Sequence, residues 1–152
     1  MKSGPRAPSS AGNHHPVSAA EYQTLAEFRH GLTAFLRRRR EAAEAAGLEP
    51  QQYELLLAIK GSPDGPPNIK QISEQLLLQH HSAVELTSRL EKRGLVQRDR
   101  SPQDRRSVLV SLTKAGEKVL VEVAQFSLTQ LQVEAPVLLK TLGRLVRKPK
   151  AK

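Results

Sequence analysis

The chain has 152 residues and a formal charge of +9, with 38% hydrophobic and 3% aromatic residues. That length serves one domain with a real core, and the excess of Lys and Arg favours a polyanionic partner, nucleic acid before an anionic membrane surface. With Cys at zero, disulfides, thiolate metal sites, a Cys nucleophile and a thiol redox sensor are all excluded.

The longest apolar run, Leu55-Leu56-Leu57-Ala58-Ile59, is far shorter than the ~18 residues of a membrane span. No apolar segment follows Met1-Lys2 as a secretory signal requires. A soluble, cytoplasmic protein is therefore expected, with no membrane association.

Residues 1–18 are rich in Ser, Pro, Gly and Ala and read as a flexible tail. His14-His15 has no neighbouring ligands to complete a zinc site, so no metal is expected. Ala19 to Ala46 reads as a long helix, in which Leu25, Phe28, Leu32, Phe35 and Leu36 recur at spacings of three and four. Within the run Arg37 to Arg40, the pairs Arg37/Glu41 and Arg40/Glu44 suit a solvated helical face. A helix ~27 residues long would extend ~40 Å and carry an apolar stripe that wants a partner.

Gly47 ends that helix, and Pro50 fits the first turn of the next, Gln51 to Lys60. Gly61 to Pro67 is a loop. Asn68 can cap a helix in which Ile69, Ile72, Leu76 and Leu77 face inward. A break at Leu78-Gln79-His80 leads into a second helix, His81 to Lys92, with Ala83, Leu86 and Leu90 on its apolar side. Its other side carries His81, Ser82, Glu85, Ser88 and Arg89, and Gly94 supplies a left-handed end. Two short helices so connected have the helix-turn-helix layout.

Leu95 to Arg100 and Ser107 to Leu112 are strand candidates joined by a Pro-containing turn. From Arg89 to Arg106 there are seven basic residues against three acidic ones, which makes this hairpin the most basic feature of the motif. Thr113 caps a helix running from Lys114 to about Val133, with Val119, Val123 and Phe126 on one side. Pro136 opens a last helix carrying Val137, Leu138, Leu142, Leu145 and Val146, and from Lys140 onward the chain is basic without acids.

These elements, with particular residues, resemble the MarR/SlyA family of winged-helix transcription regulators. The resemblance rests on Ile72-Ser73-Glu74-Gln75-Leu76, then Leu86 to Val96, Arg98, Asp104-Arg105-Arg106 and Leu112-Thr113-Lys114-Ala115-Gly116, in order and at family spacing. Gly47 to Tyr53 resembles the start of the family's second helix. The chain departs at Leu77, where the family turn usually has Gly, and at Gln79, a poorer cap than the usual Asp, Ser or Thr.

The resemblance implies a mainly α (α+β) fold: a winged helix-turn-helix with a two-stranded wing, framed by long N- and C-terminal dimerisation helices. The expected division is a tail at 1–18, a dimerisation helix at 19–49, a DNA-binding domain at 50–112 and dimerisation helices at 113–148. It also implies a homodimeric repressor of transcription that binds a palindromic operator in double-stranded DNA and is released by a small aromatic ligand. A helix in the major groove would read bases through His80, His81, Ser82, Glu85, Ser88 and Arg89. Arg106 would enter the minor groove with Asp104 holding its guanidinium, Arg100 and Arg105 would touch phosphates, and Arg98 would brace the wing. Phe28, Phe35, Tyr53 and Leu57 are candidate ligand-lining residues, and no cofactor is expected. An enzyme is disfavoured, because no phosphate-binding Gly loop, metal triad or nucleophile with a placed base is visible. The competing function is a sequence-nonspecific architectural DNA-binding protein.

Overall fold

The computed structural model describes residues 16–147. Ser18 starts the first helix, α1 (Ala19–Ala45): its hydroxyl accepts from the Glu21 N–H, and the Glu21 carboxylate accepts from the Ser18 N–H. Gly47, at φ 79, reverses the chain, which lets the Leu48 N–H bond back to the Ala43 carbonyl at 2.9 Å and buries Leu48. Pro50 then opens α2 (Pro50–Lys60). Asn68 caps α3 (Ile69–Leu76) as its spacing foretold, accepting from the Gln71 N–H at 2.9 Å.

After α4 (His80–Lys92), β1 (Val96–Arg100) and β2 (Val108–Leu112) pair antiparallel, with Val96 opposite Leu112 and Arg100 opposite Val108. Pro67 and Asn68 add a short third rung, the Pro67 carbonyl accepting from the Val110 N–H and Asn68 bridging Leu109. Thr113 caps α5 (Lys114–Val146) through the Gly116 N–H, and its hydroxyl also donates to the Gly94 carbonyl at 2.6 Å. The wing is thus fastened to the start of α5. One core joins these elements: Leu48, Leu55, Leu56, Ile72, Leu90, Val96, Val110 and Val123 are all buried.

α1 and α5 pack antiparallel along their length. Glu27 pairs with Arg144 near one end and Arg38 with Glu134 nearer the other. Gly31 leaves room for the Leu138 side chain between them.

Several expectations are corrected. The C-terminal part is one 33-residue helix, not two: Pro136 lies inside α5. Proline there removes the N–H that would reach the Gln132 carbonyl, but Pro136 is exposed and packing on α1 continues past it to Thr141 and Arg144. The apolar stripes of α1 and α5 do have an intrachain mate, each other, although Leu25, Leu36, Phe126, Val133, Val137 and Leu139 stay exposed. Leu77 does not face inward. It ends α3 in the left-handed conformation at φ 55 and is 91% exposed. His80 belongs to α4 rather than to the turn. Arg37 pairs with Glu41, whereas no Arg40–Glu44 pair forms among the described residues. The tail expected at 1–18, with His14 and His15, lies outside the described residues up to position 15, as does the basic terminus beyond 147. Among the described residues no helix is long and apolar enough to cross a membrane, and no group of three or more His, Asp or Glu could hold a metal ion.

Candidate nucleic-acid interface

α4 buries Ala83, Leu86, Thr87 and Leu90 and leaves His80, His81, Glu85 and Arg89 exposed, because apolar residues recur every three to four positions. Gln79 occupies the cap position without a side-chain cap bond, so the helix presents free N–H groups beside His80 and His81. Arg89 does not project alone. Its Nη2 lies 2.6 Å from Glu85 Oε1, and Glu49 approaches at 4.0 Å. The outward face of α4 is therefore close to charge-neutral, with its cation held in an internal pair. Ser82 and Ser88 are half-buried. Ser88 is turned toward the wing: its hydroxyl donates to the Val84 carbonyl at 2.9 Å and accepts from Arg98 Nη2 at 2.8 Å.

Arg98 also reaches the Val84 carbonyl at 3.2 Å and the Glu91 carboxylate at 3.7 Å, so this strand residue spans from wing to α4. The turn itself is built largely from side-chain oxygens accepting main-chain N–H groups. Ser101, buried in the turn, accepts from the N–H groups of Gln103 and Asp104 at 3.3 and 3.4 Å. Asp104 Oδ1 accepts from the Arg106 N–H at 3.0 Å. Asp104 thus shapes the backbone of the turn rather than gripping the Arg106 guanidinium, since one short carboxylate can close an Asx turn locally. Among the described residues no carboxylate pairs with Arg105 or Arg106, and both are exposed. Arg100 Nη1 lies 3.4 Å from the Arg105 carbonyl.

Between wing, α3 and α4 lies an open hollow of about 380 Å³ lined by Asn68, Lys70, His80, Asp104, Arg106 and Ser107. Lys70 and Ser101 were not anticipated from the sequence. Lys70 could have been found as an exposed cation in the first turn of α3, and Ser101 as the Ser preceding Pro102 at a strand end.

A second, smaller cavity of about 130 Å³ lies between α1 and α2, lined by Leu36, Arg39, Arg40, Ala43, Pro50, Tyr53 and Glu54. Of the four candidate ligand-lining residues only Tyr53 borders it. Phe35 is buried behind it, Phe28 is half-buried about two turns along α1, and Leu57 is 40% exposed away from it. The unanticipated residue here is Arg39, whose guanidinium carbon sits 5.4 Å from the Phe35 ring centre and 5.3 Å from that of Tyr53. It belongs to the run Arg37 to Arg40, where a solvated-face pattern hid its position four residues after Phe35. Tyr53 in turn lies 3.5 Å from Ser127 Oγ, connecting the cavity to α5.

Residues 46–107 match the sequence model of the MarR family. Over 96 residues the chain is 33% identical to the HTH-type transcriptional regulator SarZ of Staphylococcus epidermidis. That alignment covers 58% of this chain and 64% of SarZ, so the chain spans under two thirds of that relative's length. Among solved structures, Sco3205, a MarR family transcriptional regulator from Streptomyces coelicolor determined in complex with DNA, superposes with a TM-score of 0.68 at 22% identity, covering 89% of this chain and 88% of Sco3205. A MarR family protein from Bacillus stearothermophilus has a TM-score of 0.63 at 25% identity, covering 74% of this chain and 75% of its own. The five helices, the two-stranded wing and the matched helix-turn-helix sequence agree: over residues 46–107 the chain is similar to the MarR family, and it has the winged-helix fold of the family's solved members.

Proposed function

We propose that this protein is a MarR-type transcriptional regulator, acting as a repressor that binds a palindromic operator as a homodimer in the cytoplasm, on the nucleoid. The observation that carries this is the joint presentation of α4 and the wing. His80, His81, Glu85 and Arg89 stand exposed on one helix, while Arg98 fixes the hairpin whose turn carries the free cations Arg105 and Arg106. A helix of this kind suits the major groove, and an unpaired Arg on a thin hairpin suits the narrow minor groove. Ser82 and the edge of Ser88 would support backbone contacts, and Arg100, Lys70 and Arg105 would meet phosphates. The DNA-bound relative and the transcription-regulator relatives support the same assignment rather than an enzymatic one.

The dimer is supported by apolar surface that the α1–α5 pair leaves open, including Leu25, Leu36, Val133, Val137 and Leu139. Release by a small aromatic ligand is supported by the cavity beside Tyr53 and Arg39, where a ring could stack and an acidic group could meet the guanidinium. Footprinting on DNA upstream of the protein's own coding region, with sedimentation at low micromolar concentration, tests the proposal. Protection of an inverted repeat by a dimer is expected; a monomer, or protection without any sequence preference, would sink it.

The charge of +9 favours a second function, a sequence-nonspecific architectural DNA-binding protein. Phosphate contacts alone are sequence-blind and strongly salt-dependent. Equal affinity for palindromic and random duplexes at physiological salt would establish that alternative.

A further inference from the structure

We infer that Arg93 is the positioning residue that sets the angle of α4, and through it the half-site spacing the protein accepts; this rests on the operator-binding dimer proposed above. Arg93 follows the last turn of α4, at the end opposite His80 and His81. Its planar fork spans two oxygens of the α1–α2 corner: Nη1 donates to Gln52 Oε1 at 2.7 Å and Nη2 to the Gly47 carbonyl at 2.7 Å. Two short, charge-assisted bonds from one rigid group fix orientation as well as distance.

The corner is built to receive this fork. Gly47 adopts φ 79, a conformation that an L side chain resists, and its carbonyl takes one arm. Gln52 is a buried polar residue, 4% exposed, on the first turn of α2. Its amide oxygen also accepts from the Glu49 N–H at 3.1 Å, so one acceptor caps α2 and holds the end of α4. Glu49 approaches Arg89 as well, a second link from the same corner to the same helix. The corner continues directly from α1, which packs on α5. A DNA-contacting role fits Arg93 less well, since both ends of its fork are already engaged at the far end of α4.

The length of α4 converts a small angle into a readable displacement. Thirteen residues make a helix about 20 Å long, so a swing of about 10° at Arg93 moves the His80 end by about 3 Å. That is close to one base-pair step of about 3.4 Å. In a homodimer two such helices must meet half-sites about one helical turn apart. Loosening the fork would therefore blur which spacing is accepted, with the bases read by each helix unchanged.

The test uses the full chain and inverted-repeat duplexes whose half-site separation varies in single base-pair steps around about 10 bp, at physiological salt. Wild type, Arg93→Lys, Arg93→Ala and the neighbouring exposed-charge control Lys92→Ala are compared, with thermal unfolding recorded for each. The wild-type protein and Lys92→Ala should prefer one spacing by about tenfold over its neighbours. Arg93→Lys keeps the charge but cannot span both oxygens, and it should flatten that preference to within about threefold. Affinity for random duplex should stay within about twofold, because no phosphate contact is lost. Should Arg93→Ala fail to fold, Arg93→Lys decides. An unchanged spacing profile with a uniform drop in affinity overturns the assignment of Arg93. Absence of any spacing preference in the wild-type protein overturns the operator-binding dimer itself, and the role of Arg93 with it, and is distinguishable because it appears before any substitution.

Discussion

Arg98 Nη2 donates to Ser88 Oγ at 2.8 Å, tying the first wing strand to the middle of α4. Because Arg98 also bonds the Val84 carbonyl, the link is shared among several acceptors. Ser88→Ala should cost about 1 kcal/mol, and Arg98→Ala, which removes every strand of the tie, about 2 kcal/mol. Urea unfolding of both single variants and the double variant checks this. The two losses should be less than additive, since the residues share one bond. Strict additivity would mean that the contact contributes nothing.

Arg106 has no carboxylate partner among the described residues, so removing its guanidinium should leave the fold alone, within about 0.5 kcal/mol. DNA binding by Arg106→Ala should weaken similarly on operator and unrelated duplex, with the salt slope reduced by about 1. Electrophoretic titrations over a range of salt read both quantities. A changed base preference at the centre of one half-site would instead make Arg106 a base reader.

Leu77 combines two unfavourable features, a left-handed backbone at φ 55 and 91% exposure of an apolar side chain. Glycine adopts that backbone freely and there is no buried contact to lose. Leu77→Gly should therefore raise stability by about 1 kcal/mol, seen as a Tm increase of about 2–4 °C. A lower Tm would show that the leucine contributes more to the folded state than its exposure indicates.

Gly116 permits a close approach: a Cβ there would overlap the Leu95 carbonyl oxygen, a main-chain atom that cannot rotate away. Leu95 is held on both sides, by its own N–H to the Leu90 carbonyl and by its carbonyl to the Thr113 N–H. Gly116→Ala should destabilise by about 3 kcal/mol or more, against the usual preference for Ala in a helix. Circular dichroism melting would expose the error if the alanine variant proved as stable as wild type.

The helix-turn-helix and wing were legible because their signals are local. Asn68 before an apolar stripe, Gly94 after one, and alternation around Ser101-Pro102 each mark an element by its own chemistry. Pro136 misled because its effect on a helix depends on what lies alongside, and α1 was not visible from within that segment. Leu77 misled for the opposite reason: apolar spacing continued the α3 stripe by one residue while the backbone had already turned. Arg93 and Gln52 are 41 residues apart, and no periodicity relates them. Their contact exists only once α2 and α4 are packed. Arg39 was hidden by its neighbours, four consecutive arginines of which one faces two aromatic rings.

α5 begins where the wing is pinned and ends beyond the Glu27–Arg144 pair, and at 33 residues it is about 50 Å of continuous helix. One continuous helix therefore joins the hairpin at its start to the apolar surface shared with α1 along its length. A tilt of about 5° at Thr113 carries the far end through about 4 Å, enough to unseat side chains packed there. Pro136, which has no N–H to donate, leaves one main-chain bond missing along that helix. Any such tilt would have to be carried across that missing bond by the packing of α5 on α1, through the Arg38–Glu134 and Glu27–Arg144 pairs on either side.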